Sequence, residues 1–166
     1  MEIERKYLIS KLPKNLETYP HRRIEQGYLS VNPVVRVRMD GNSFYLTYKG
    51  EGMMVREEYN LPLTKESYEH LLAKADGNII TKERYNIPFT CVHTDGATRE
   101  HMIELDLFDG IFSGMKLAEV EFDSETLANT FCPPDWFGED VTFSHKYHNS
   151  YLSSVSPQCK ATTCQE

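Results

Sequence analysis

Glu2, Glu4 and Lys6 occupy alternate positions at the start of the chain, with Ile3 and Arg5 between them. Successive side chains of a strand point to opposite faces, so these three would line one side of it together. The spacing recurs in Arg36 and Arg38, in Arg56 and Glu58, in Lys82 and Arg84, in Glu104 and Asp106, and in Glu119 and Glu121. Sign is segregated on several of them, with Arg36 and Arg38 on one strand, Glu104 and Asp106 on another and Glu119 and Glu121 on a third; neighbouring like charges repel, so such segregation calls for a compensating ligand. Clustered Arg and Lys suit a polyanion, because guanidinium forks grip phosphoryl oxygens bidentately. Clustered carboxylates would repel the same ligand unless divalent cations lie between, and an all-oxygen ligand set suits Mg²⁺ or Mn²⁺. A polyphosphate held by bases on one side and through metal on the other satisfies both sets.

The elements that must position these groups read mainly as strands. Val34 to Met39 and Phe44 to Lys49 alternate, and Asp40-Gly41-Asn42 between them has turn chemistry, which predicts a hairpin. Gly50-Glu51-Gly52 ends the second strand, and Val55 to Leu61 follows. Thr64 to Ala75 carries Tyr68, Leu71, Leu72 and Ala75 at helical spacing, with Thr64 as N-cap. Ser124 to Phe131 predicts a shorter helix stopped by Pro133-Pro134, and Leu12 to Tyr19 a turn or short helix. The plain alternative for the charged faces is the solvated outside of an open sheet or sandwich. Runs that are almost purely ionic and segregated by sign point instead to a closed antiparallel barrel, charged inside, apolar outside and covered by a few helices. Such an interior is too costly to be dry and must hold water and a charged ligand.

A chain of 166 residues, 26% charged and 40% hydrophobic, fits one soluble domain. We assign the domain to residues 1–152 and expect the polar, aperiodic segment 153–166 to be a disordered tail. A net charge of −7 argues against a nucleic-acid or polybasic membrane partner. No apolar run approaches the ~20 residues needed to span a bilayer. The N-terminus lacks a signal-peptide pattern, and four cysteines without CxxC spacing fit a reducing cytoplasm. Among the six histidines, His145 and His148 attract a metal reading, but on a strand they differ in parity and cannot share a face. Gly50-Glu51-Gly52 lacks the remainder of a P-loop, and GxSxG and HExxH are absent.

Taken in order, these residues resemble the CYTH superfamily, the triphosphate tunnel metalloenzymes, in its short single-domain bacterial form. The ExExK signature is Glu2, Glu4 and Lys6. It is followed by Gln26-Gly27-Tyr28-Leu29, by Arg36 and Arg38, and by Thr47-Tyr48-Lys49-Gly50. Lys82 with Arg84, Glu104 with Asp106, and Ala118-Glu119-Val120-Glu121 complete the series. The resemblance implies an eight-stranded antiparallel tunnel that hydrolyses triphosphates with Mg²⁺ or Mn²⁺. It implies that Glu2, Glu4 and Glu121 bind the metal, with Glu58, Glu104, Asp106 and Glu119 completing the acidic half. It implies that Lys6, Arg36, Arg38, Lys49, Arg56, Lys82, Arg84 and Lys146 hold phosphates, and that Lys6, Glu4 and Glu119 stand nearest the chemistry.

Two departures stand out. The late motif, usually like EVTxDxRYxN, reads Asp140 to Asn149 here, with Ser144 for the acid and Lys146 for the Arg. Lys146 keeps the charge without the bidentate fork. Arg56 stands where an acid is common. The leading expectation is removal of the terminal phosphoryl group of inorganic tripolyphosphate, with nucleoside triphosphates as a wider substrate set. The alternatives are a class IV-type adenylate cyclase and a non-catalytic polyphosphate or nucleotide binder. No run obviously seats adenine, which favours the inorganic substrate.

Overall fold

Alternating runs become antiparallel strands, and the computed structural model describes residues 1–155. The strands are β1 (Glu2–Ile9), β2 (His21–Val31), β3 (Val34–Asp40), β4 (Ser43–Lys49), β5 (Val55–Arg56), β6 (Glu58–Pro62), β7 (Asp76–Val92), β8 (Thr98–Phe108), β9 (Lys116–Glu121) and β10 (Phe137–Asp140). They form one sheet in the order β10-β1-β9-β8-β7-β2-β3-β4-β6, with β5 also paired to β1. β5 and β6 are two halves of one kinked strand. Val55 and Arg56 pair with Ile3 and Glu2, and Glu58 to Pro62 pair with β4. The ladder breaks at Glu57, and the chain itself carries the ring across that gap. β10 is a short ribbon on the second half of β1. Eight strands therefore surround the interior, as expected.

The two faces hold different cores. Tyr7, Ile87, Ile103, Leu105, Ala118 and Val120 project outward and pack beneath Ala128 and Phe131. Helix α2 (Glu125–Thr130) is capped by the Ser124 hydroxyl, which accepts from the Leu127 N–H. Helix α1 (Lys65–Leu72) starts at Thr64, whose side chain accepts from the Ser67 N–H, and packs Tyr68 against Phe44. The expected segment before β2 is a single 3-10 turn at Leu16–Thr18.

The interior is charged over only part of its length. Gln26 pairs with Ile80, Lys82 with Phe108 and Asp106 with Leu117, and directly paired residues share a face. Ile80, Phe108 and Leu117 thus fill one end of the barrel, joined by Tyr28, Val141 and Leu152. Leu152 comes from α3 (Asn149–Ser154), which caps that end. Ser153 is buried in α3, and the remainder of segment 153–166, from 156 on, lies outside the described residues. Among the described residues no helix is long and apolar enough to cross a membrane.

Candidate active site

Antiparallel register decides which charges face one another. Glu4 lies opposite Glu121, Lys6 opposite Glu119, and Glu119 opposite Glu104. Across the ring Glu2 faces Arg56, Lys49 faces Glu58, and Arg38 faces Gln26. Apart from the fully buried Gln26, these side chains line a cavity of about 260 Å³ inside the barrel, together with Arg22, Arg36, Arg84, His148 and Asn149.

Most of the charges neutralise one another. Lys6 Nζ lies 2.9 Å from Glu119 and 3.8 Å from Glu4. Lys49 donates to both oxygens of Glu2 at 2.7 Å and sits 2.5 Å from Glu58. Arg56 reaches Glu2 at 3.2 Å and Glu4 at 3.1 Å. Arg84 grips Asp106 with two donors at 2.6 Å and also bonds Glu119 and Glu104. Three charges are left over. Among the described residues Arg36 and Arg38 have no carboxylate partner, and Glu121 has no cation. Arg36 is 5% exposed and its Nε meets no acceptor, while Arg38 donates only to the Gln26 amide oxygen, 3.0 Å away. Two adjacent guanidiniums without counter-ions, Arg36 buried and Arg38 half-buried, form a seat for an anion.

Protonation follows from the same neighbours. Burial alone would neutralise Lys6, but Glu119 and Glu4 outweigh it and raise its pKa. Burial opposes the charge on Glu119 and Glu4 as well. Lys6 and Arg84 nevertheless hold Glu119 well below the carboxylate range, and Lys6 holds Glu4 below it. Arg38 is pushed down to about 10, by burial and then by Arg36 and Arg84. Lys49 is lowered by burial and by Arg36. Glu121 is raised, by burial and by the charges of Glu104, Glu4 and Glu58. Glu2 is raised by burial and Glu4, whereas Lys49 overcomes burial at Glu58 and brings it to about 2. The basic wall therefore lacks an anion, and the acidic corner around Glu121 lacks a cation. Glu2, Glu4 and Glu121 offer the all-oxygen set that a hard divalent metal takes.

The structure separates three expected residues from this surface. Lys82 and Asp106 are fully buried and pair with each other below the lining, where they anchor Arg84. Burial, with Arg84 beside it, lowers Lys82 to about 8. Lys146 is exposed on a 3-10 turn, His145–Tyr147, and does not line the cavity. Strand parity does not apply to such a turn, so His145 and His148 do approach, with ring centroids 6.0 Å apart. His148 and Asn149 reach the cavity in place of Lys146. His148 is pushed down to about 4 by burial and by the charges of Lys6 and Arg56. The strap that carries it is tied to β1: Lys6 N–H donates to Thr142 Oγ1 at 3.0 Å, and Val141 N–H to the Lys6 carbonyl at 2.9 Å. Arg22 is a further residue beyond the sequence reading, bonded to Asp40 and to Asn86. Its only signal was an in-phase position on the strand that carries Gln26. Arg56, which departs from the family pattern, stands in the cavity wall.

Known proteins match this arrangement. The CYTH domain family matches residues 1–126. An inorganic triphosphatase of Nitrosomonas europaea is 37% identical over 160 residues, covering 94% of this chain and 99% of that protein. An inorganic triphosphatase of Acetivibrio thermocellus is 34% identical over 159 residues, covering 91% and 92%. The crystal structure of the inorganic triphosphatase NE1496 superposes with a TM-score of 0.68 at 34% identity, covering 95% of this chain and 97% of that one.

Proposed function

Since the chain belongs to the CYTH domain family, we propose that it hydrolyses the terminal phosphoryl group of inorganic tripolyphosphate, using Mg²⁺ or Mn²⁺. The observation that carries this reading is the pairing deficit among the described residues: buried Arg36 and half-buried Arg38 lack an anion, and Glu121 lacks a cation. A triphosphate with its divalent metal supplies both.

In this reading Arg36 and Arg38 hold phosphoryl oxygens, with Lys49, Arg56 and Arg84 nearby, and Glu2, Glu4 and Glu121 hold the metal. When bound, the metal would screen phosphoryl charge and lower the pKa of a coordinated water. Lys6 stays protonated beside Glu119 and Glu4, so it donates to a phosphoryl oxygen or to the attacking water and does not act as base. Glu119 is too acidic and too well paired to take a proton; it is a positioning residue for Lys6 and Arg84. Water adds to the terminal phosphorus, the bond to the bridging oxygen breaks, and orthophosphate and pyrophosphate leave. The residues act by electrostatic complementarity to charge that shifts in the transition state. Asp106 and Lys82 support Arg84 from below.

The test is product analysis with tripolyphosphate and, separately, ATP, each with Mg²⁺ or Mn²⁺. Orthophosphate released faster from tripolyphosphate is the expected result, and the ATP rate sets the breadth. Cyclic AMP with pyrophosphate would reassign the chain as a cyclase, and binding without turnover would make it a sensor. Glu121→Gln should raise the metal concentration needed for half-maximal rate at least about tenfold. An unchanged requirement would remove Glu121 from the metal set.

A further inference from the structure

On the outer face of the barrel, away from the cavity, the β7–β8 hairpin brings together Cys91, His93 and His101. One ligand atom from each lies within 4.8 Å of the other two. Strand geometry makes the cluster. Cys91 is the last residue but one of β7, His93 follows the strand end directly, and His101 on β8 pairs across with Phe89; the rings of His93 and His101 both pack on Phe131, and Cys91 packs against the same cluster.

The hydrogen bonds aim one nitrogen of His93 into the cluster. Thr130 Oγ1 donates its one proton back into α2, to the Thr126 carbonyl at 3.0 Å or that of Leu127 at 3.3 Å. With that proton so placed it accepts from His93 Nδ1, 2.8 Å away, in the tautomer that carries the ring proton on Nδ1 and the lone pair on Nε2. In that tautomer the lone pair accepts from His101 Nε2–H, 2.7 Å away, and a bound metal would replace that shared proton. An outer hydrogen bond that fixes the tautomer and aims the other nitrogen inward is the usual support of a metal-bound histidine. The nearby Arg99 guanidinium is engaged by both oxygens of Asp95.

We propose that Cys91, His93 and His101 bind a zinc ion through one thiolate and two imidazole nitrogens, separately from the metal of the cavity. One sulfur and two imidazole ligands are a borderline-soft set that suits Zn²⁺ and is wrong for Mg²⁺. A tetrahedral shell places such ligands about 3.3–3.6 Å apart, so the histidines open by roughly half an ångström and Cys91 closes by no more than about 1 Å. Two of these residues are only half-buried, and a cleft lined by Arg99, His101, Phe122 and Asp123 gives the ion a way in. Binding removes the Cys91 thiol proton and so weakens below neutral pH. The bound ion joins the hairpin, through His93 and Thr130, to the end of α2.

The test uses the full chain, stripped with a chelator, and Co²⁺ as a spectroscopic stand-in for Zn²⁺. Wild type should show a thiolate-to-cobalt charge-transfer band that one equivalent of Zn²⁺ abolishes. Cys91→Ser should lose the band. His101→Asn should weaken Zn²⁺ binding at least about 100-fold in competition with a chromophoric chelator, and Thr130→Val about 10–100-fold. A band that survives both Cys91→Ser and His101→Asn would assign it to other cysteines and overturn the proposal. So would a wild type without the band. Cavity carboxylates give no thiolate band, so the readout is blind to them.

Discussion

Arg36→Met should make the empty protein more stable while nearly abolishing its activity. Arg36 is 5% exposed, its Nε has no acceptor, and no carboxylate pairs with it among the described residues. Its charge also works against its neighbours, since it is the second cause, after burial, that lowers both Arg38 and Lys49. A buried cation without a partner carries its desolvation cost uncompensated. Replacing buried charge by an apolar side chain of similar length is often stabilising by about 1–4 kcal/mol. Taking about 1–3 kcal/mol, because Arg38 remains, the melting temperature should rise by roughly 2–12 °C for a domain of this size.

Function should move the other way. A guanidinium fork makes two charge-assisted hydrogen bonds to phosphoryl oxygens, each worth about 1.5–3 kcal/mol. Losing both removes about 3–6 kcal/mol, or roughly 10²–10⁴-fold in kcat/KM. Arg36→Lys should fall between, because it keeps the charge and loses the fork. The assays are thermal melts without metal or substrate, and orthophosphate release from tripolyphosphate. A variant that loses stability along with activity would show that Arg36 has a structural partner, and an unchanged kcat/KM would take it out of the phosphate site. Either result refutes the reasoning.

Asp106→Asn should have the opposite signature, because Asp106 does have partners: it leaves Lys82 and Arg84 buried and under-compensated, at about 3–5 kcal/mol. Thermal melts should show a loss of about 6–20 °C, and a loss of activity with an unchanged melt would mean that Asp106 touches ligand directly. His148 should contribute a pH-dependent stability of known sign. Its folded pKa of about 4 lies below an unfolded value of about 6.5, so the unfolded chain binds more protons between the two. That contribution is complete above pH 6.5 and drains away as pH falls towards 4. Denaturant titrations across that window should show His148→Gln losing less stability than wild type, and parallel curves would contradict the assignment. Gly27→Ala should destabilise by about 1–3 kcal/mol, since a Cβ there would lie 2.7 Å from Ala75 Cβ and 2.9 Å from Leu72 and Ile79. An unchanged melt would show that the loop after α1 yields at no cost.

Strand parity made most of the cavity legible in the sequence. Glu2, Glu4, Lys6, Arg36, Arg38, Lys49, Glu104, Glu119 and Glu121 all lie on regular strands, where a period of two fixes the face. The rule failed in two ways. Depth along a strand is not encoded by parity, so Lys82 and Asp106 share the inner face with Arg84 yet lie under it, at the boundary with Ile80, Phe108 and Leu117. Parity also has no meaning off a strand. Strand logic does not reach the end of segment 140–149, which runs through a 3-10 turn into α3, and this turns Lys146 outward and His148 inward. The Cys91, His93 and His101 cluster escaped for a third reason. It joins a hairpin whose register no local motif specifies, so His101 could not be placed beside Cys91 before the pairing of Phe89 with His101 was known.

The pattern of pairing explains how a barrel can carry its charges inside and still fold empty. Desolvating each ion costs several kcal/mol, and only close, hydrogen-bonded partners repay that. Here partners lie on neighbouring or nearby strands: Lys49 with Glu2 and Glu58, Arg56 with Glu2 and Glu4, Lys6 with Glu119, Arg84 with Asp106 and Glu104. Sheet register, which the outer apolar core fixes through Tyr7, Leu105, Ala118 and Val120, therefore sets the inner ionic network as well. A one-residue slip of β9 against β1 would drive Glu119 and Glu121 into that outer core and leave Lys6 without its closest acid. What the network leaves unpaired, Arg36 and Arg38 on β3 and Glu121 on β9, is small enough for the fold to tolerate and specific enough to select a ligand. An anion alone leaves Glu121 repelled, and a cation alone leaves Arg36 and Arg38 bare. Only a ligand that brings both signs relieves all three, so metal and polyphosphate should bind this cavity with positive coupling.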